Sequence, residues 1–333
     1  MQKTVSNRTI WVDAIKGLAI ILVVFGHTWR SCDLAGLFET APEGLFAAVD
    51  ARIYAFHMPL FFMASGFFVL ASLRRSSPAD FVLSRLTRLI WPLILWTYIF
   101  IGSKLVAGSL ANDPLTLEPR IFFPIPGQWQ FWFLWALFVM HMGLLLLRPA
   151  LMTERSTRIT LWALLLANGL ILAINVPFSV YYWTNSAPRF LPFLLLGMLV
   201  SSYGLLHARP ARAGLIGLAV AMILIAMVPL FPKSNILSAV LSSLICLAIL
   251  VALSWLAPSL PRLGRCLAWF GGASMIIFLS HTLFAAPVRI VLLKLGVTSL
   301  PLHLVLGTLA GLFAPFVLKA MIARTGKPAL FGV

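Results

Sequence analysis

The first strongly apolar stretch of the chain carries three ionisable side chains, Asp13, Lys16 and His27. Ionisable groups within a membrane-length apolar segment are costly, and they become candidates for chemistry wherever they find partners. At 100° per residue, the eleven positions from Lys16 to His27 turn about 20° beyond three full turns, so the two share one helix face about 16 Å apart. Asp13 stands one turn before Lys16 and is placed to neutralise it. An imidazole changes charge near neutral pH, so His27 can take a proton from a hydroxyl, carry an acyl group, or serve in a proton relay. A cation fixed in a low dielectric acts best where negative charge develops, which suits Lys16. The plainer roles are a snorkelling interfacial lysine and a core histidine bonded to a carbonyl.

A second apolar stretch opens Arg52-Ile-Tyr-Ala-Phe-His57-Met-Pro59 and continues to Ser65-Gly66-Phe67-Phe68. Pro59 is expected in the first turns, where a missing N–H is tolerated, and Ser65 and Gly66 allow a close helix approach near mid-membrane. Ordinary small-residue packing explains this pair as well as support of a site does. His141, His207 and His303 are given no role.

The elements that must hold these residues follow from composition. Of 333 residues, 61% are hydrophobic and 10% charged, with a mean hydropathy of +1.00. That leaves too little polar surface for a soluble domain of this size and too much apolar mass for a disordered chain. Apolar runs of about 20 residues, the length that crosses a hydrocarbon core, recur near 10–28, 53–73, 86–107, 129–147, 159–176, 190–206, 213–231, 236–257, 267–288 and 300–322. The expectation is an all-α polytopic bundle of about ten transmembrane helices, one membrane domain over 1–333 with no separate soluble domain.

The net charge of +16 resembles a nucleic-acid signature until its positions are read. With ten spans, sixteen cations, among them Arg74, Arg75, Arg85, Arg88, Arg148, Arg155 and Arg158, fall on the side of the termini, against two acids, Asp80 and Glu154. The opposite side holds eight cations against six acids. The positive-inside rule therefore places both termini in the cytoplasm, accounts for the basicity, and makes the partner a lipid bilayer and not a nucleic acid. Cys32, Cys246 and Cys266 form no CxxC or metal-like arrangement, so no metal is expected. Asp13 and Lys16 at the head of the first run argue against a cleaved signal.

Several short motifs now fall into one order. Trp11-Val-Asp-Ala-Ile-Lys16-Gly leads through ten residues to His27; Phe56-His-Met-Pro-Leu-Phe-Phe-Met-Ala-Ser-Gly-Phe67 follows. After these come Arg85-Leu-Thr-Arg88-Leu-Ile-Trp-Pro92, Trp132-Phe-Leu134 and Gly271-Gly-Ala-Ser274-Met-Ile-Ile-Phe-Leu-Ser-His281. The series resembles the integral-membrane acyltransferase family 3, most of all its fucose 4-O-acetylase-like branch. The resemblance implies an enzyme of the cytoplasmic membrane that moves an acetyl group from cytoplasmic acetyl-CoA to a hydroxyl of an exported glycan or lipid-linked sugar. Under it His27 is the general base or an acyl relay, and Lys16, with Asp13, stabilises an oxyanion or positions CoA. Arg85 and Arg88, three apart on one face, suit the donor's phosphates, although loop arginines also serve simply as topology signals. His57, Arg189 and His281 face the acceptor, with Trp132 or Trp183 as a flat surface for a sugar ring. Many members carry an extra soluble domain, so the acceptor is recognised here by the bundle, a second copy or a polysaccharide-assembly partner. A proton-coupled transporter and a non-catalytic membrane subunit are the rival readings.

Overall fold

The structure, a computed structural model, describes residues 7–39, 41–115, 123–173, 187–205, 211–231 and 236–332. Trp183, His207 and the charged Lys3, Glu118, Arg120, Arg209 and Lys233 lie outside these residues. Among the described residues all regular structure is helical, as a lipid-embedded chain requires when no water is at hand to satisfy backbone groups. The helices are α1 (Asn7–Asp33), α2 (Leu45–Arg75), α3 (Pro78–Arg85), α4 (Trp91–Ala107), α5 (Trp132–Leu146), α6 (Glu154–Ala173), α7 (Ala187–Tyr203), α8 (Ala211–Met227), α9 (Ile236–Ser259), α10 (Pro261–Gly272), α11 (Ser274–Lys294) and α12 (Leu300–Arg324). A π-helical turn, Leu86–Ile90, joins α3 to α4 in one continuous rod.

Nine of these segments are long and apolar enough to cross a membrane among the described residues, which makes the protein a polytopic helical bundle. The expected run at 190–206 is the exception. Its helix, α7, has only 17 residues, about 25 Å at 1.5 Å per residue and short of a ~30 Å core. Gly204 stops it: with φ at 60° it takes the left-handed conformation, and the Leu205 N–H turns back to the Val200 carbonyl at 3.3 Å.

Two further boundaries differ from the sequence expectation. The run at 267–288 is broken at Ala273, which leaves the helical region with φ −107° and ψ 7°; α10, with Arg262 and Arg265 exposed, is too short to span, and only α11 crosses. Second, α2 begins at Leu45, well before residue 53, so Pro59 lies in the helix interior and removes a backbone bond there.

Helix α1 is the hub, packed against α2, α9, α10, α11 and α12. Ile15, Ala19, Ile20, Val23 and Val24 bury its core face. Two glycine contacts set the closest approaches. A Cβ on Gly17 would strike the Leu267 carbonyl and one on Gly271 the Asp13 carbonyl, so α1 and α10 touch backbone to backbone. Gly66 meets α7 in the same way, against the Leu194 carbonyl and Gly197; small residues do this work between membrane helices. Helix α8 lies at the periphery and exposes Leu215, Ile216, Met222 and Ile223 to the lipid.

Arginines close the end of the bundle that gathers the basic loops. Arg148 donates to the Leu73 and Ser76 carbonyls at 3.1 and 3.2 Å. Arg74 donates to the Leu151 carbonyl at 2.8 Å and reaches Glu154 at 3.2 Å. These side chains satisfy helix-end carbonyls as well as supplying charge.

Candidate active site

His27 lies on the face of α1 turned toward α2 and α11, half-buried. Its ring centroid is 5.0 Å from that of His281 on α11, with the planes inclined at 60°. His281 is fully buried, and its Nδ1 lies 3.0 and 2.9 Å from the Ile277 and Phe278 carbonyls. A carbonyl only accepts, so the proton is assigned to Nδ1 and the lone pair of the neutral ring to Nε2. That Nε2 is buried without a hydrogen-bond partner. One histidine is thus oriented by the backbone of its own helix and holds an unused acceptor in the neighbourhood of the other.

His57 completes the group from α2. It too is buried, with Nδ1 2.7 Å from the Ile53 carbonyl, and it lies within electrostatic reach of His27, as does Arg30. Between them stands Tyr54. Its ring meets His57 edge to face at 4.5 Å, the Arg30 guanidinium covers it at 3.2 Å, and it packs against Gly26 beside His27. Arg30 is held in turn by Asp50 through two bonds of 2.6 and 3.0 Å, the bidentate fork that fixes a guanidinium in one orientation. Tyr54, Arg30 and Asp50 escaped the reading from the sequence. A signal for them exists: Asp50, Tyr54 and His57 follow one another at four and three residues on α2, which puts them on one stripe, and Arg30 follows His27 by one turn.

The other expected residues lie further off. Lys16 is paired with Asp13 at 2.6 Å, both part-exposed, about 16 Å along α1 from His27. The spacing argument is met, but neither side chain is part of the histidine cluster. Arg85 and Arg88 do not present one face. The π turn that starts at Leu86 changes the angular step, so Arg88 is exposed while Arg85 is half-buried and donates to Ser72 Oγ on α2 at 2.8 Å. The Arg85 guanidinium covers Phe81 at 4.6 Å and keeps a buried Nε without a partner. Ser65 binds His141 Nε2 at 3.3 Å, which gives a partner to a histidine left without a role. Trp132 at the start of α5 packs on Phe190 at 5.0 Å and Phe62 at 6.2 Å. It is therefore part of an aromatic cluster and is partly buried. Arg189 is exposed in the first turn of α7.

The arrangement has two polar ends joined by α2. Ser72, which holds Arg85, and His57, which stands near His27, are fifteen positions apart, or about 22 Å at 1.5 Å per residue. One end offers a guanidinium with spare donors for an anion. The other offers paired imidazoles that can take a proton from an attacking hydroxyl or hold an acyl group.

Residues 9–320 match the acyltransferase domain model Acyl_transf_3. Two curated relatives are similar over part of their length. The nodulation protein NolL of Sinorhizobium fredii is 29% identical over 135 residues, covering 39% of this chain and 34% of the relative. NolL of Mesorhizobium japonicum is 28% identical over 138 residues, covering 40% of this chain and 34% of the relative. The chain thus aligns with about a third of the length of these relatives. No solved structure matches. With the family model covering nearly the whole helical bundle, the chain belongs to the membrane acyltransferase family 3.

Proposed function

We propose that the protein is an O-acetyltransferase of the cytoplasmic membrane, which takes an acetyl group from cytoplasmic acetyl-CoA and places it on a hydroxyl of a glycan or lipid-linked sugar on the opposite side. The observation that carries this reading is the contact between the half-buried His27 and the backbone-oriented His281. An alcohol is a poor nucleophile near neutral pH, so a base must remove its proton as the oxygen attacks the thioester carbonyl. In direct transfer His27 takes that proton, the new C–O bond forms, the C–S bond breaks, and the proton passes to the departing thiolate. In a relay His27 first accepts the acetyl group with release of the thiol, and the acceptor hydroxyl then displaces it.

The donor enters at the end of the bundle that carries Arg85 and Arg88. A CoA whose phosphates rest there must reach about 22 Å along α2 to present its acetyl group at His27. An extended chain of CoA's pantetheine type covers most of that distance at ~1.25 Å per bond, and the side chains of Arg85 and His27 close the remainder. Lys16 lies on the donor half of α1, about 16 Å short of His27, so in this account it positions CoA while Asp13 holds its ammonium. On the far side His57 and the Arg30–Asp50–Tyr54 assembly shape the approach of the acceptor.

Sealed membrane vesicles of known orientation, loaded with the glycan pool of the source membrane, test the proposal. Radiolabelled acetyl-CoA supplied on the face of Arg85 should label the glycan, and the same donor on the opposite face should not. Labelling indifferent to side, or none with acceptor present, would contradict it.

A further inference from the structure

Arg289 on α11 is 6% exposed. Its Nε is buried without a hydrogen-bond partner, and among the described residues no carboxylate forms an ion pair with it. A largely buried guanidinium without a counter-ion is an uncompensated charge, which a fold tolerates when something else brings the anion. The plainer explanation is a snorkelling arginine five residues from the end of α11, with only Nε fully buried; the missing carboxylate and the unpartnered groups nearby favour a bound anion over it.

Other unsatisfied groups lie near its level on the adjacent α12. Gly311 of α12 lies against Val24 of α1, and against the His281 carbonyl and Ala285 of α11; Gly307 lies against Thr28. Carried outward, that antiparallel register sets Arg289 level with Gly307 and Cys32 level with His303. The Cys32 thiol is within electrostatic reach of Arg289. His303 is 1% exposed and has its Nε2 2.8 Å from the Val297 carbonyl; a carbonyl only accepts, so Nε2 carries the proton, and Nδ1 is left unpartnered. The Thr308 hydroxyl is buried and unpartnered as well. Three polar groups from two adjacent helices are thus unsatisfied where buried groups are ordinarily paired.

We infer that Arg289 marks an anion-binding site for the acceptor, taking a phosphate or carboxylate carried by the glycan or its lipid anchor. The site lies on the side of the histidine pair away from Arg85: Cys32 is about 8 Å beyond His27 along α1, and Arg289 about 12 Å beyond His281 along α11. An acceptor held there by its charged group presents a neighbouring hydroxyl to His27. This rests on the acceptor reading above and adds a chemical class to it, since a neutral glycan leaves Arg289 without a counter-ion.

Inorganic pyrophosphate serves as the probe, with thermal unfolding of the full-length protein in a phosphate-free maltoside detergent. In the Arg85→Ala, Arg88→Ala background, which removes the donor's phosphate site, saturable stabilisation is expected, is retained in part on adding Arg289→Lys, and is absent on adding Arg289→Met. Without the probe Arg289→Met should unfold at or above the wild-type temperature, because a buried charge is gone. An unchanged pyrophosphate response on adding Arg289→Met to the Arg85→Ala, Arg88→Ala background, or a fold lost in Arg289→Met and Arg289→Lys alike, overturns the site. Stabilisation by phosphatidylglycerol that requires Arg289, with none from pyrophosphate, assigns it to a lipid headgroup and overturns the acceptor assignment. In transfer assays Arg289→Met should raise KM for the membrane-derived acceptor at least 10-fold and leave KM for acetyl-CoA unchanged. Failure of acetyl transfer by the wild type would remove the enzymatic reading while leaving pyrophosphate binding to stand or fall separately.

Discussion

The rings of His27 and His281 meet at 5.0 Å between centroids, although the two residues belong to helices at opposite ends of the chain. His281 is pinned through Nδ1 to the carbonyls of Ile277 and Phe278, so its free edge is fixed before any substrate arrives. Preorganisation of this kind is what a proton-transfer group requires.

If that orientation matters to the reaction, His281→Ala should lower kcat for acetyl transfer by about 10²-fold or more, the scale of a lost acid–base partner. His281→Gln, which keeps a hydrogen-bonding head, should recover part of it. Steady-state kinetics in detergent decides, and wild-type rates in both variants would remove His281 from the site.

The Arg30–Asp50 fork holds the cation above Tyr54. Asp50→Asn breaks the charge pair while keeping its shape. With Arg30 half-exposed and Asp50 buried, the expected loss of stability is about 1 kcal/mol. Thermal unfolding measures it, and the acceptor KM should rise as Tyr54 loses its cover.

Adjacent glycines in α10 should behave differently. Gly271→Ala places a methyl group on the Asp13 carbonyl and forces α1 and α10 apart, at a cost of about 1–3 kcal/mol. At Gly272, the last residue of α10, nothing lies within 4 Å of the added carbon, so Gly272→Ala should change stability by no more than about 0.5 kcal/mol. Denaturation of the two variants side by side provides the check.

The double variant Arg85→Ala, Arg88→Ala should weaken acetyl-CoA binding at least ~10-fold, the equivalent of one lost charge-assisted bond. Ser72→Ala, which releases Arg85 without removing it, should have a smaller effect. Binding of a non-hydrolysable acetyl-CoA analogue, followed by calorimetry, separates the cases.

Composition and run length were enough to read a helical membrane bundle, and residue spacing alone placed Asp13 against Lys16. Hydropathy could not see the break at Ala273, because Phe270 and Ile276 keep the run apolar across it, and the close approach of neighbouring Gly271 to the Asp13 carbonyl is a contact with another helix. Nor could it see the π turn that separates Arg85 from Arg88, since a five-residue change of pitch leaves composition untouched. The pairing of His27 with His281 depends on α11 packing against α1, a tertiary fact with no local signature. The Asp50, Tyr54, His57 stripe was legible by helical spacing, but the expected start of the second helix near residue 53 cut Asp50 away from it.

On the proposed function, His27 does chemistry and does not merely pack between helices. The most direct test is single-turnover transfer from radiolabelled acetyl-CoA to the membrane-derived glycan pool by wild type and His27→Ala, with donor affinity measured on both. The rate should fall at least ~10³-fold in His27→Ala, with acetyl-CoA affinity and unfolding temperature nearly unchanged. Transfer at close to the wild-type rate by folded His27→Ala would contradict it.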